Sequence, residues 1–267
     1  MNTNSLGTAL ITGASSGIGA VYADRFAKRG YDLILVARNR ERLEALATRL
    51  AADAGRSVKV IVADLNDKAA LARVEQVLRT DASITVLVNN AGIAMSGDLA
   101  SADPDRLANM IQLNVLAPSL LALAVIPGFV VRGSGTLINI SSVLALAPER
   151  FNGSYSGTKA YLLNLSLRLQ QEVAGNGVRV QVVLPGATRT AIWEKSGTDI
   201  ATLPPSMLMD VDEMVDAALV GLDRGESVTI PSLPDIADWE AYEAARQNMI
   251  PKLSLSFPAA RYGVTAD

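Results

Sequence analysis

Short apolar runs rich in β-branched residues recur along this chain, each followed by a stretch of helical periodicity. That alternation limits the possible folds more than any other feature. The runs are Thr8–Thr12, Asp32–Ala37, Val58–Ala63, Thr85–Asn89, Thr136–Ile140, Val178–Leu184 and Val228–Ile230. Amphipathic stretches lie between them at 17–29, 40–53, 67–80, 104–131, 153–174 and 212–224, and Asp235–Met249 also reads as helical. Buried runs of this kind belong to parallel sheets covered on both faces. Strand–helix–strand units cross over right-handed, so the natural closure is a doubly wound sheet. The expected fold is α/β: a doubly wound parallel β-sheet of about seven strands with helices on both faces, Rossmann-like. A length of 267 residues suits one such domain, 1–267, and no Gly-, Pro- or Ser-rich linker divides it. Residues 189–211, interrupted by Pro204-Pro205, form the least regular part and read as a variable substrate loop. The tail from Pro251 declares no element.

The chain has no cysteine and no histidine. Disulfides and thiolate metal sites are excluded, and both the commonest metal ligand and the usual catalytic base are missing. No metal site is expected. Net charge is −3 with both signs scattered, so there is no basic stripe for nucleic acid. Residues 113–131 approach the length of a membrane span, but Asn114, Pro118, Pro127 and Gly128 interrupt them. A helix buried within a soluble fold explains them better than a membrane partner. The start, MNTNSLGTALITG, lacks the pattern of a signal peptide, and a cytoplasmic location is expected.

The first strand runs into Thr12-Gly13-Ala14-Ser15-Ser16-Gly17-Ile18-Gly19. In a strand–turn–helix setting Gly13 takes the tight turn, Gly17 lets a pyrophosphate approach the backbone, and Gly19 lets the helix pack close to the sheet. Amides at the helix start then face the anion. Beyond the second strand the sequence reads Ala37-Arg38-Asn39-Arg40. An acidic residue here would hold a ribose 2′-hydroxyl, whereas Arg38 suits a 2′-phosphate and favours NADP(H) over NAD(H). Asp64, followed by Leu65, either accepts from the adenine amino group or caps the next helix. Asn89-Asn90-Ala91-Gly92 makes a tight bend at the end of the fourth strand.

Proton chemistry without histidine needs another group. Tyr155 and Lys159 stand four apart, on one face of a predicted helix. A neighbouring ammonium favours the ionised phenol and makes it a usable acid or base. The order and spacing of Thr12-Gly13-x-x-x-Gly17-x-Gly19, Asn89-Asn90-Ala91-Gly92, Asn114, Ser142, Tyr155-x-x-x-Lys159 and Pro185-Gly186-x-x-x-Thr190 resemble the short-chain dehydrogenases/reductases of about 250 residues. The likeness is strong over residues 6–190 and only general beyond them.

The resemblance implies that Tyr155 is the catalytic acid/base and that Ser142, rather than Ser141, holds the reacting oxygen. It implies that Lys159 binds the nicotinamide ribose and lowers the Tyr155 pKa, and that Asn114 holds a water in a proton relay. Gly13, Ser15, Ser16, Gly17, Ile18, Gly19, Arg38, Asp64, Leu65, Asn90, Ala91, Gly92, Pro185, Gly186, Thr188 and Thr190, with Tyr155 and Lys159, would hold NADP(H). The implied reaction passes a hydride between nicotinamide and a small-molecule carbonyl or secondary alcohol. The alternatives are a non-catalytic NADP(H) sensor and a non-redox enzyme on the same fold. Apolar pocket candidates are Val143, Leu144, Phe151, Ile192, Trp193 and the loop through Met207; Trp193 either meets substrate or packs the loop. Glu149 and Arg150 line the mouth or sit in solvent. Leu116, Leu120, Leu123, Leu162, Leu165 and Leu169 suit burial against a second copy, in a homodimer or homotetramer.

Overall fold

A computed structural model describes residues 5–190, 192–193 and 199–264. By contacts the chain divides into two compact units, Met1–Pro231 and Ser232–Asp267. In the first, seven strands form one parallel sheet: β1 (Thr8–Thr12), β2 (Asp32–Ala37), β3 (Val58–Val62), β4 (Ile84–Asn89), β5 (Gly135–Ile140), β6 (Val178–Val183) and β7 (Val228–Thr229). Their order is β3-β2-β1-β4-β5-β6-β7, so the winding direction reverses between β1 and β4. Open α/β sheets bind their ligands in the crevice at such a reversal, outside the strand C-termini.

Side-chain alternation along each strand feeds two cores. Ala9, Ile11, Leu33 and Leu35 join Phe26 of α1 (Gly17–Lys28), Leu43 of α2 (Arg40–Ala54) and Val215 of a later helix. Leu10, Ile34 and Val36 point the other way, to Val74 of α3 (Lys68–Thr80). Each such side chain, fully buried, contributes about 1.5–3 kcal/mol of apolar transfer. This two-sided burial is why β1, β2 and β4 read as nearly unbroken apolar runs, while edge strand β3 carries exposed Lys59.

The helical region read as 104–131 is two helices with a wider turn between them. Asp103 caps α4 (Pro104–Ile111) by accepting from the amides of Asp105 and Arg106. Gln112–Leu116 forms a π-helical segment, and α5 (Ala117–Arg132) follows, ending at left-handed Gly133. The whole run, Pro104–Arg132, is long and apolar enough to cross a membrane by length and composition. Here Leu121, Val125 and Phe129 of α5 bury themselves in the second core instead. α6 (Gly153–Glu172) and α7 (Val211–Asp223) complete the unit. Of the six leucines assigned to an interface with a second copy, only Leu116 and Leu123 stand exposed. Leu162 is buried within its own chain, and Leu120 and Leu169 pack on the second core.

Among the described residues, the second unit holds α8 (Ile236–Met249) and two short 3-10 turns. Asp235 caps α8 through the amide of Ala237, and Trp239 stacks on Tyr242.

Candidate active site

The ends of β1 and β4 are laced together where the winding reverses. Thr12 Oγ1 accepts from the amides of Asn90 and Ala91, both at 3.0 Å, and Asn90 Nδ2 donates to the carbonyl of Thr12 at 2.8 Å. The fit is too close for any other residue at Gly13 or Gly19, where a Cβ would strike the Asn90 side chain. Gly13 also needs its φ of +67° to leave the strand. Ser16 precedes α1 without a side-chain cap, and no acidic residue lies in the first turn. The leading amides of α1 are thus left to an anion.

A cavity of about 1240 Å³ opens above these strand ends. Small-molecule sites commonly span about 300–1,000 Å³. This one has room for a dinucleotide and a substrate together. All the residues implied for NADP(H) line it except Gly19, which lies beneath the turn. At its far end Arg38 pairs loosely with Asp64, at 3.7 Å. Asp64 accepts from the amide of Asn66, while the helix-capping role falls to Asp67 through the amide of Ala70. Arg40 turns away to Glu44. Arg42 takes its place in the cavity wall, a residue the sequence reading did not select. Its signal was available: Asn39 caps α2 at Arg42, so both fall in the first helical turn.

At the other end stands Tyr155, in the first turn of α6. Asn152 caps that helix by accepting from the Tyr155 amide at 3.0 Å and donates to the carbonyl of Gly97 at 2.6 Å. Tyr155 is buried but faces the cavity, and the Ser142 hydroxyl lies close enough to its phenol to lower the phenol's pKa. Ser141 Oγ is committed to the carbonyl of Lys159, which leaves Ser142 as the serine for a substrate oxygen. Phe151 meets the Tyr155 ring edge-on at 5.8 Å and meets Trp193 likewise at 6.4 Å. Trp193 donates to the carbonyl of Thr188 at 2.8 Å and lines the cavity as well, so it both packs the loop and faces the pocket. Residues 191 and 194–198 of the expected substrate loop lie outside the described residues.

Two details add to the sequence reading. Lys159 Nζ lies beside the Tyr155 ring, 5.6 Å from its centre, and donates to the carbonyl of Ile140 at 3.0 Å. Burial pushes Tyr155 up to about 12, partly offset by the Ser142 hydrogen bond, and brings Lys159 down to about 8. Desolvation of the charged forms therefore outweighs the expected lowering of the phenol by the ammonium. Asn114 does not line the cavity. Its Oδ1 accepts from the amide of Ile93 and its Nδ2 donates to the carbonyl of Ile93 and to Thr158 Oγ1.

A doubly wound sheet with a glycine turn at its switch point, and a buried tyrosine, serine and lysine across the same crevice, describes a nicotinamide-dependent oxidoreductase. The family model described as short chain dehydrogenase matches residues 7–201. The chain belongs to that family, and it acts on CH–OH or C=O groups. It is 50% identical to a short-chain dehydrogenase from Sphingobium yanoikuyae solved in complex with NADPH, with a TM-score of 0.93 over 95% of this chain and 98% of that one. A bulky-bulky ketone specific alcohol dehydrogenase from Comamonas testosteroni is 45% identical, with a TM-score of 0.89 over 97% of this chain and 99% of that one. Human 17-beta-hydroxysteroid dehydrogenase type 3 is 34% identical across 91% of this chain and 79% of its own length.

Proposed function

We propose that the protein is an NADPH-dependent reductase, or the reverse dehydrogenase, for ketones and secondary alcohols of moderately apolar, bulky small molecules. When bound, the cofactor supplies or takes the hydride. Tyr155 gives its proton to the carbonyl oxygen on reduction, and Ser142 holds that oxygen. Lys159 meets the nicotinamide ribose, and Arg38 with Arg42 meets the 2′-phosphate. Gly13 to Gly19, Asp64, Leu65, Asn90 to Gly92, Pro185, Gly186, Thr188 and Thr190 make the rest of the cradle. Residues 1–267 act as one catalytic domain with its substrate loop at 189–211, in the cytoplasm.

The observation carrying this reading is that Tyr155 and Ser142 line one cavity together with two arginines, Arg38 and Arg42. The NADPH complex of the Sphingobium relative supports the cofactor, and the specificity named for the Comamonas enzyme supports bulky ketones. The test is to follow the reduced-nicotinamide absorbance with NADPH and ketones of graded bulk. Turnover that improves from acetone to diaryl and aryl-alkyl ketones is expected. NADPH binding with no turnover of any ketone or alcohol would refute catalysis in favour of a sensor.

A further inference from the structure

Arg150 ends the short 3-10 turn Pro148–Arg150, is exposed, and lines the same cavity as Tyr155. Among the described residues its guanidinium has neither an ion pair nor a hydrogen bond. The other charged groups of the cavity wall are placed elsewhere. Arg38, Arg42 and Asp64 stand at the far end, where Arg38 and Asp64 face each other, and Lys159 is held by the carbonyl of Ile140. Glu149 does not line the cavity. Besides the hydroxyls of Ser141, Ser142, Thr188 and Thr190, the same wall offers the apolar surfaces of Leu144, Phe151, Ile192, Trp193, Leu203 and Met207. A lone guanidinium at the rim of an apolar pocket is matched by a planar anion, which it binds through paired donors.

We propose that the enzyme favours oxo acids: substrates whose ketone sits at Tyr155 and Ser142, whose apolar body lies on Phe151 and Trp193, and whose carboxylate reaches Arg150. This rests on the reductase reading above. The ketone takes a hydride from NADPH and a proton from Tyr155 to become the alcohol, and the carboxylate is unchanged. Because Arg150 is exposed, solvent screens the pair and its contribution is that of a surface ion pair.

The test compares benzoylpropionate, benzoylbutyrate and benzoylvalerate, each against its methyl ester, in the wild type, Arg150→Ala and Arg150→Lys. The wild type should prefer the acid by about fivefold in kcat/KM at the chain length that spans the pocket. Arg150→Ala should bring that ratio to one without changing turnover of the esters, and Arg150→Lys should retain part of it. The KM of the acid, not of the ester, should rise with salt. Esters reduced at least as well as acids at every length, or a preference unchanged in Arg150→Ala, overturns the inference and leaves the reductase reading intact. Failure to reduce acids, esters and neutral ketones alike removes both.

Discussion

Replacing Tyr155 by Phe removes one oxygen from the point on which the chemistry is proposed to turn. A positioned acid contributes about 100- to 10,000-fold. Ketone reduction should therefore fall by that factor while NADPH binding is largely kept. The structural cost is small. The ring keeps its edge contact with Phe151 at 5.8 Å, and Ser142 Oγ still accepts from the amide of Leu144. Even the loss of one net hydrogen bond, about 0.5–1.5 kcal/mol, would move the melting temperature by only a few degrees. The pH profile follows from the same burial. With the phenol held up to about 12, Tyr155 carries its proton throughout the neutral range. Its ionised fraction at neutrality is about one in a hundred thousand. Reduction, which needs the proton, should be insensitive to this group from mildly acidic to mildly alkaline conditions. Alcohol oxidation, which needs the phenolate, should climb about tenfold per pH unit at first. Lys159 loses its charge as pH rises through about 8, and with it the cation that favours phenolate, so the climb should flatten there. The assay is kcat/KM in both directions for the wild type and Tyr155→Phe, with melting curves as the folding control. Reduction by the mutant within threefold of wild type, or oxidation flat below pH 8, would show that another group moves the proton.

For the cofactor, Arg38→Ala should weaken NADPH about tenfold, because the Asp64 carboxylate at 3.7 Å already draws on part of that charge, and NADH should change by less than twofold. Removing Arg42 as well should compound the loss to about a hundredfold; equal losses for NADPH and NADH would mean that neither arginine meets the extra phosphate. For assembly, Leu116 at the end of the π-helical segment and Leu123 on α5, with half-exposed Tyr161 on α6, are expected to meet a second copy, and light scattering at micromolar concentration should give a dimer or tetramer mass. A monomer would withdraw that assignment.

Most strands were legible because burial on both faces keeps them apolar, as in β1, β2 and β4, and each run lies within one residue of its strand at either end. The nucleotide turn was legible because glycine alone tolerates the approach of Asn90 to Gly13 and Gly19. Side-chain direction was not. Its place after β2 singled out Arg38, but nothing in the spacing showed that Arg42 lines the cavity while Arg40 pairs with Glu44. Nor does spacing give solvent access. Tyr155 and Lys159 share a helix face as expected, yet burial moves both toward their neutral forms, against the shift that proximity alone suggests.

Asn114 sits at a local irregularity that the sequence did not show. It lies in the π-helical segment Gln112–Leu116, and such segments, with one residue more per turn, concentrate at functional sites. No residue type marks a π turn, so composition gave no warning of it. The wider turn delivers the side chain to Ile93, where it takes both backbone groups, at 3.0 Å and 2.8 Å. Its Nδ2 also reaches Thr158, whose hydroxyl donates to the carbonyl of Tyr155 at 2.7 Å. One amide thus joins the bend after β4 to the helical turn that carries the phenol. A Cβ at Gly92 would come within 3.1 Å of Asn114 Oδ1 and 3.6 Å of Lys159 Nζ, so that bend also brings the backbone close to the ammonium. With every amide atom so engaged, we propose that the Asn114 side chain serves to place Tyr155 and the β4 bend.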